Sequence, residues 1–196
     1  MKKLIFLIAM LLVAPSAEAQ LFKKRDRSVE QQYDKGNVPV KNGKVTFEET
    51  IPAEGLTAAQ VMSVVENWIS DRYVEPKTIS VKRFDSGEPG TIVIKGEEYI
   101  VFKNTFFVLS RARTYYYLTL KANDGSCSFN MSRITYWYDD EDEKGGIKMK
   151  AEEWITDETA FSEKGGLKKF EGKFRRKTID LKEQLVKELK DALNKK

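Results

Sequence analysis

Apolar and polar positions alternate most clearly between Thr114 and Asp139, TYYYLTLKANDGSCSFNMSRITYWYD. Two β-rich runs flank Asp124-Gly125, a pair suited to a two-residue hairpin turn because both central positions need positive φ. With that turn at the tip, Asn123 faces Ser126, Ala122 faces Cys127, Leu120 faces Phe129, Leu118 faces Met131 and Tyr116 faces Arg133. Side chains alternate across a strand, so these pairs share one face, apolar near the turn. The opposite face pairs Lys121 with Ser128 and Thr119 with Asn130, then gathers Tyr115, Tyr117, Ile134, Tyr136 and Tyr138. The same register turns Arg133 inward.

Other elements follow from the same periodicities. Lys44 to Ile51 alternates as a strand, and Pro52 ends it. Thr57 and Gln60 make a capping box, with Leu56 placed to staple onto Val61. Val61, Val64, Val65, Trp68 and Ile69 then form one apolar stripe of a helix ending near Tyr73. Strands are expected over Thr78–Phe84, Thr91–Ile94 and Tyr99–Phe102, with Lys95-Gly96 as a turn. Asn104 to Ala112 connects to the central hairpin. The segment AEEWITDETAF reads as a short irregular element. A closing helix is expected from Asp180, capped through Glu183, with Leu181, Leu185, Val186, Leu189 and Leu193 on its stripe.

Strands joined by short turns, with two amphipathic helices, predict an α+β fold: a two-layer arrangement of a mostly antiparallel sheet with both helices on one face. Residues 1–19 stand apart. Lys2 and Lys3, the apolar run Leu4 to Ala14, and Ala17-Glu18-Ala19 have the form of a cleavable signal peptide. No cysteine follows the run, so the reading is a periplasmic or secreted protein, not a lipoprotein, with no transmembrane segment after cleavage. Residues 20–39 read as a flexible polar arm, and 40–196 as a single domain.

Composition narrows the chemistry. The chain has no histidine, which removes histidine-dependent triads, common zinc sites and an imidazole base. Cys127 is the only cysteine, directed inward, so no intramolecular disulfide forms. The formal charge of +4 falls to +3 after cleavage, too small to argue for nucleic acid. The acidic run Asp139–Glu143 lacks the glycine and glutamate spacing of an EF-hand and reads as a solvated loop. The basic stretch Lys164–Lys177 reads as intramolecular charge balance. No metal or cofactor is expected.

The chain also resembles a known family. The entry GKVTFEETIPAEGLTAAQVMSVVENWI, the paired strands around NDGSCSFNMSRITYWY, the AEEWITD segment and the closing helix are similar to domain of unknown function family 4468. These are exported proteins of Bacteroides-type bacteria, described as having a TBP-like fold. The resemblance covers roughly Val40 to Leu193. It implies that topology and supplies no catalytic residues.

Two functional readings follow. The first is a non-catalytic binding or accessory module of the cell envelope. Its face of Tyr115, Tyr117, Ile134, Tyr136 and Tyr138 meets a protein, peptide or glycan partner, unless Trp154 or Phe161 covers the rings. The second is a carrier of a small apolar ligand between the sheet and the closing helix, with inward Arg133 on an acidic headgroup. An enzyme built on carboxylates such as Glu152-Glu153 or Asp157-Glu158, and a nucleic-acid binder, rank below both.

Overall fold

The computed structural model describes residues 31–76 and 78–195. The expected signal peptide and the first part of the polar arm lie outside these residues. Strands β1 (Val40–Lys41) and β2 (Lys44–Pro52) lead into helix α1 (Ala58–Arg72). Strands β3 (Ser80–Phe84), β4 (Thr91–Thr105), β5 (Val108–Asn123) and β6 (Ser126–Tyr138) follow. The chain closes with β7 (Ile147–Lys150), the one-turn helices α2 (Ala151–Trp154) and α3 (Asp157–Ala160), and the long helix α4 (Glu171–Leu193). The strands form one antiparallel sheet in the order β1-β2-β6-β5-β4-β3, with β7 also paired to β6.

The two long helices lie on one face of that sheet, as the apolar stripes require. Val61, Val65 and Trp68 of α1, and Leu181, Leu185 and Leu189 of α4, are buried against Phe47, Leu118, Leu120, Phe129 and Met131. Each fully buried leucine contributes roughly 2 kcal/mol by leaving water. The Thr57–Gln60 capping box is present. The Asp124-Gly125 turn does more than reverse the chain: Asp124 Oδ1 accepts from Ala58 N at 2.7 Å and so also caps α1.

The central hairpin keeps the expected register from Asn123–Ser126 to Tyr117–Ser132. Beyond it a β-bulge opens. The next pair is Tyr115 with Thr135, followed by Thr114 with Tyr136 and Ala112 with Tyr138. Arg133 and Ile134 together oppose Tyr116, and Arg133 takes φ 52°. The extra residue exchanges the two faces of β6 beyond that point. Arg133 therefore points outward and is exposed, whereas Ile134 and Tyr136 are buried on the helix side. Tyr138 joins them against Phe170 and Phe174. The expected outward placement of Ile134, Tyr136 and Tyr138, and the inward placement of Arg133, are thereby corrected. The bulge sits where the outer neighbour of β6 changes from β2 (Thr46–Ser132) to β7 (Thr135–Lys150).

Three further boundaries differ from the expectation. Lys95-Gly96 is strand, so the expected third and fourth strands are one. Gly96 is there because the Tyr116 ring crosses it: a Cβ would lie 2.7 Å from a ring carbon. Helix α4 begins at Glu171 rather than Asp180. Its first turns carry Phe174, Arg175 and Thr178, all fully buried. Thr178 Oγ1 donates to Phe174 O at 2.8 Å and bonds Tyr136 Oη at 2.6 Å. Residues 31–39, expected as flexible arm, dock on the domain. Arg175 donates to the carbonyls of Tyr33, Asp34 and Ile155 and pairs with Asp157 at 2.8 Å. Tyr33 Oη donates to Asp180 at 2.6 Å. Part of the basic stretch is thus consumed internally.

Candidate functional site

Among the described residues, no element covers the sheet face opposite the helices. Alternation along β3 to β7 places Phe84, Lys82, Lys95, Tyr99, Arg113, Tyr115, Tyr117, Trp137 and Lys148 there. Of the expected surface residues, Tyr115 and Tyr117 remain on this face, half-buried, and Arg133 joins them. Ile134, Tyr136 and Tyr138 do not. Their rings and methyl groups fill the space beneath α4, with Phe174 at 5.1 Å from Tyr136 and Phe170 at 5.4 Å from Tyr138. That same packing occupies the room a carrier would need, and Arg133 is on the wrong side to hold a headgroup.

Aromatic rings and cations interleave across the open face. Arg133 lies 5.2 Å from the Tyr117 ring, Lys95 5.1 Å from Tyr115, and Lys148 4.8 Å from Trp137. Phe84 packs on Tyr117 at 5.7 Å. Trp137 Nε1 donates to Gly145 O at 2.7 Å, which fixes the indole in place. A groove of about 510 Å³ runs along Tyr115 and Trp137, bounded by Lys95, Lys148, Lys150 and Glu153. Partial burial raises the Tyr115 phenol above its usual range, so it is a neutral hydrogen-bonding group at neutral pH.

The charges fall into two sets. Arg113 pairs with Asp140 at 3.0 Å, and Arg111 with Glu141 at 2.7 Å. The acidic loop is largely solvent-exposed, as expected, and two of its carboxylates also neutralise arginines at one end of the sheet. Lys150 pairs with Glu153 at 3.3 Å. Lys82, Lys95, Arg133 and Lys148 meet no carboxylate within ion-pair distance among the described residues. Three of these cations, Lys95, Arg133 and Lys148, lie over aromatic rings, and Lys82 stands beside Lys95 on the neighbouring strand.

A second groove, about 680 Å³, separates α1 from α4. Its principal charges are already bound to each other: Arg72 contacts Glu188 and Glu98 at 2.8 Å each. Burial opposes the charge of Arg72, but the Glu98 carboxylate more than offsets it and holds the guanidinium charged. Tyr116 completes this network, donating to Glu98 at 2.5 Å and meeting Tyr73 Oη at 3.0 Å. Burial pushes the Tyr116 phenol well above its usual range. The network ties α1 and α4 to the sheet. Among the described residues, no cluster of acidic or sulfur ligands is arranged to hold a metal ion.

The family described as a domain of unknown function (DUF4468) with TBP-like fold matches residues 47–137. A crystal structure of a DUF4468 family protein from Bacteroides ovatus is similar to this chain at 31% identity, with a TM-score of 0.75. The similarity covers 85% of this chain and 96% of that one. The chain belongs to the DUF4468 family. A TBP-like protein from Parabacteroides distasonis has the same fold, with a TM-score of 0.63 at 21% identity over 81% of this chain and 99% of that one. No curated protein matches the chain. The DUF4468 match spans β2 to Trp137, and so includes the bulge and most of the open face. The family description carries no activity, so the site must speak through its own chemistry.

Trp137, Lys95, Lys148 and Lys82 were not singled out by sequence. One signal was present. The apolar positions of β6 run Cys127, Phe129, Met131 and then Ile134, Tyr136, Tyr138, so the parity changes once within the strand. Such a change, with a charged residue between the two sets, is what a bulge produces. It would have turned Trp137 to the open face.

Proposed function

We propose that this DUF4468 protein is an exported, non-catalytic binding module of the cell envelope whose open sheet face takes an anionic protein, peptide or glycan partner. One observation carries the reading: Lys95, Arg133 and Lys148 lie over Tyr115, Tyr117 and Trp137 without carboxylate partners among the described residues, with Lys82 beside Lys95. Tyrosine and tryptophan supply contact area at low entropic cost, and the cations supply steering toward negative charge. The positive φ of Arg133 adds support. Holding a non-glycine residue in that conformation costs about 1 kcal/mol or more, and such strain concentrates at functional positions. The export assignment rests on the leader read in the sequence. The non-catalytic assignment rests on the lack of histidine and of any motif pairing a nucleophile with a base.

The test uses two soluble polyanions of different class, polyglutamate and polygalacturonate, with neutral dextran as control. Binding to at least one polyanion is expected, weakening with salt. The Lys95→Glu/Lys148→Glu variant should bind about ten-fold more weakly, or less, with unchanged thermal stability. No polyanion binding at low salt, or equal binding by the variant, would remove this reading.

A further inference from the structure

The β4–β5 hairpin runs on past the point where the helices cover it. Residues 103–109 are exposed on both of its sides. Thr105 pairs with Val108, so Phe106 and Phe107 occupy the two central positions of the turn. Polar residues and glycine are the usual occupants there. Instead, Phe106 is 95% and Phe107 88% exposed, and Val108 and Leu109 follow at 44% and 54%. The two rings stack edge-on against each other, 4.9 Å apart. An apolar cluster of this kind at the end of a projecting finger is costly in water and marks a contact site.

We propose that this hairpin tip inserts into the interfacial layer of a lipid bilayer. Four features select a bilayer as the occupant. The two phenylalanine rings stand at the extremity, backed by Val108 and Leu109 on β5 and by the uncharged Asn104 and Thr105 on β4, which suits a fluid medium that closes around the tip better than a groove that meets one face. No residue from Asn104 to Ser110 is charged, and Lys103 and Arg111 mark the boundary at the base. At about 3.3 Å per strand residue, the rings stand roughly 7–10 Å beyond that boundary. That reach matches the shallow depth of interfacial insertion, roughly 5–10 Å.

Finally, the charges at the base are mixed. Lys103 and Lys173 lie toward the helix side, with Lys173 over the Phe102 ring at 4.4 Å. The acidic loop flanks Val108 and Leu109 on the other side, with Glu141 paired to Arg111. A collar of both signs fits zwitterionic headgroups and makes the association apolar in origin. It is independent of the anion-binding face.

The experiment is vesicle flotation of the chain starting at Gln20, because the apolar run Leu4–Ala14 would itself partition into lipid. Phosphatidylcholine vesicles, with and without phosphatidylglycerol, are compared at low and high salt. Binding to both is expected, changing by no more than about two-fold with salt. Phe106→Ser/Phe107→Ser should lower the partition coefficient by roughly 30-fold or more, the factor set by losing two ring transfers. Its circular dichroism and melting temperature should match the parent. In a Phe106→Trp variant the emission should shift to the blue on vesicles and be quenched by lipids brominated near the headgroup. Failure of the parent to float overturns the proposal, as does flotation that survives the double substitution or that disappears in salt. A double variant that splits a dimer while leaving flotation unchanged also overturns it, and assigns the tip to a second copy of the chain.

Discussion

Arg133 is the residue on which the two faces of the molecule depend. Its positive φ places two residues of β6 opposite Tyr116, and its side chain lies over Tyr117 on the open face. Other single residues act within the core. Gly96 accommodates the Tyr116 ring, and Arg175 satisfies the buried carbonyls of Tyr33 and Ile155 while also reaching Asp34 O. Cys127 is buried at the tip end of the hairpin, and burial pushes its thiol from 9.0 up to about 11. A raised folded-state pKa gives stability that is whole below the unfolded value and is lost as pH rises through the folded value. Stability should therefore fall by roughly 2 kcal/mol between pH 9 and pH 11 through this thiol. Denaturant melts across that range check it. Cys127→Ala should abolish the part of the decline beginning near pH 9 and keep the part due to the buried tyrosines Tyr73, Tyr116 and Tyr136, which begins near pH 10.

At the level of elements, local signals were legible where local chemistry decides the outcome. The Thr57–Gln60 box fixed the start of α1, and Asp124-Gly125 fixed the hairpin and its first pairs. They failed where a long-range contact decides. The beginning of α4 was hidden because Arg175 and Thr178, polar in sequence, are buried through partners at Ile155 and Tyr136. Gly96 looked like a turn because its reason, the Tyr116 ring, is distant in sequence. The tyrosine face was right in part: Tyr115 and Tyr117 lie on β5, which alternates unbroken past the bulge, whereas Ile134, Tyr136 and Tyr138 follow the extra residue on β6. Asp124 joins two elements, since the turn residue also receives Ala58 N–H. Asp124→Ala should cost roughly 1–2 kcal/mol in chemical denaturation, whereas Asp124→Asn, which accepts the same bond and tolerates the turn, should recover most of it.

For the molecule as a whole, the sheet divides two tasks. One face carries both long helices and the interlocked rings of Tyr136, Tyr138, Phe170 and Phe174. The other carries rings and unpaired cations, and the hairpin tip projects beyond both layers. Among the described residues, no helix is long and apolar enough to cross a membrane. The bulge connects the two tasks, because it seals the helix face with Ile134 and Tyr136 while turning Arg133 outward. This makes stability and binding separable at one position. Glycine adopts positive φ without the side-chain penalty, so Arg133→Gly should leave stability unchanged or raise it by up to about 1 kcal/mol.

The decisive measurement is the affinity of Arg133→Gly for the polyanion that the parent binds, taken beside its unfolding free energy. The account predicts binding weakened by about three-fold or more, with stability at or above that of the parent. Equal affinity in a variant of equal stability would contradict it, and would place any anionic partner away from the bulged face.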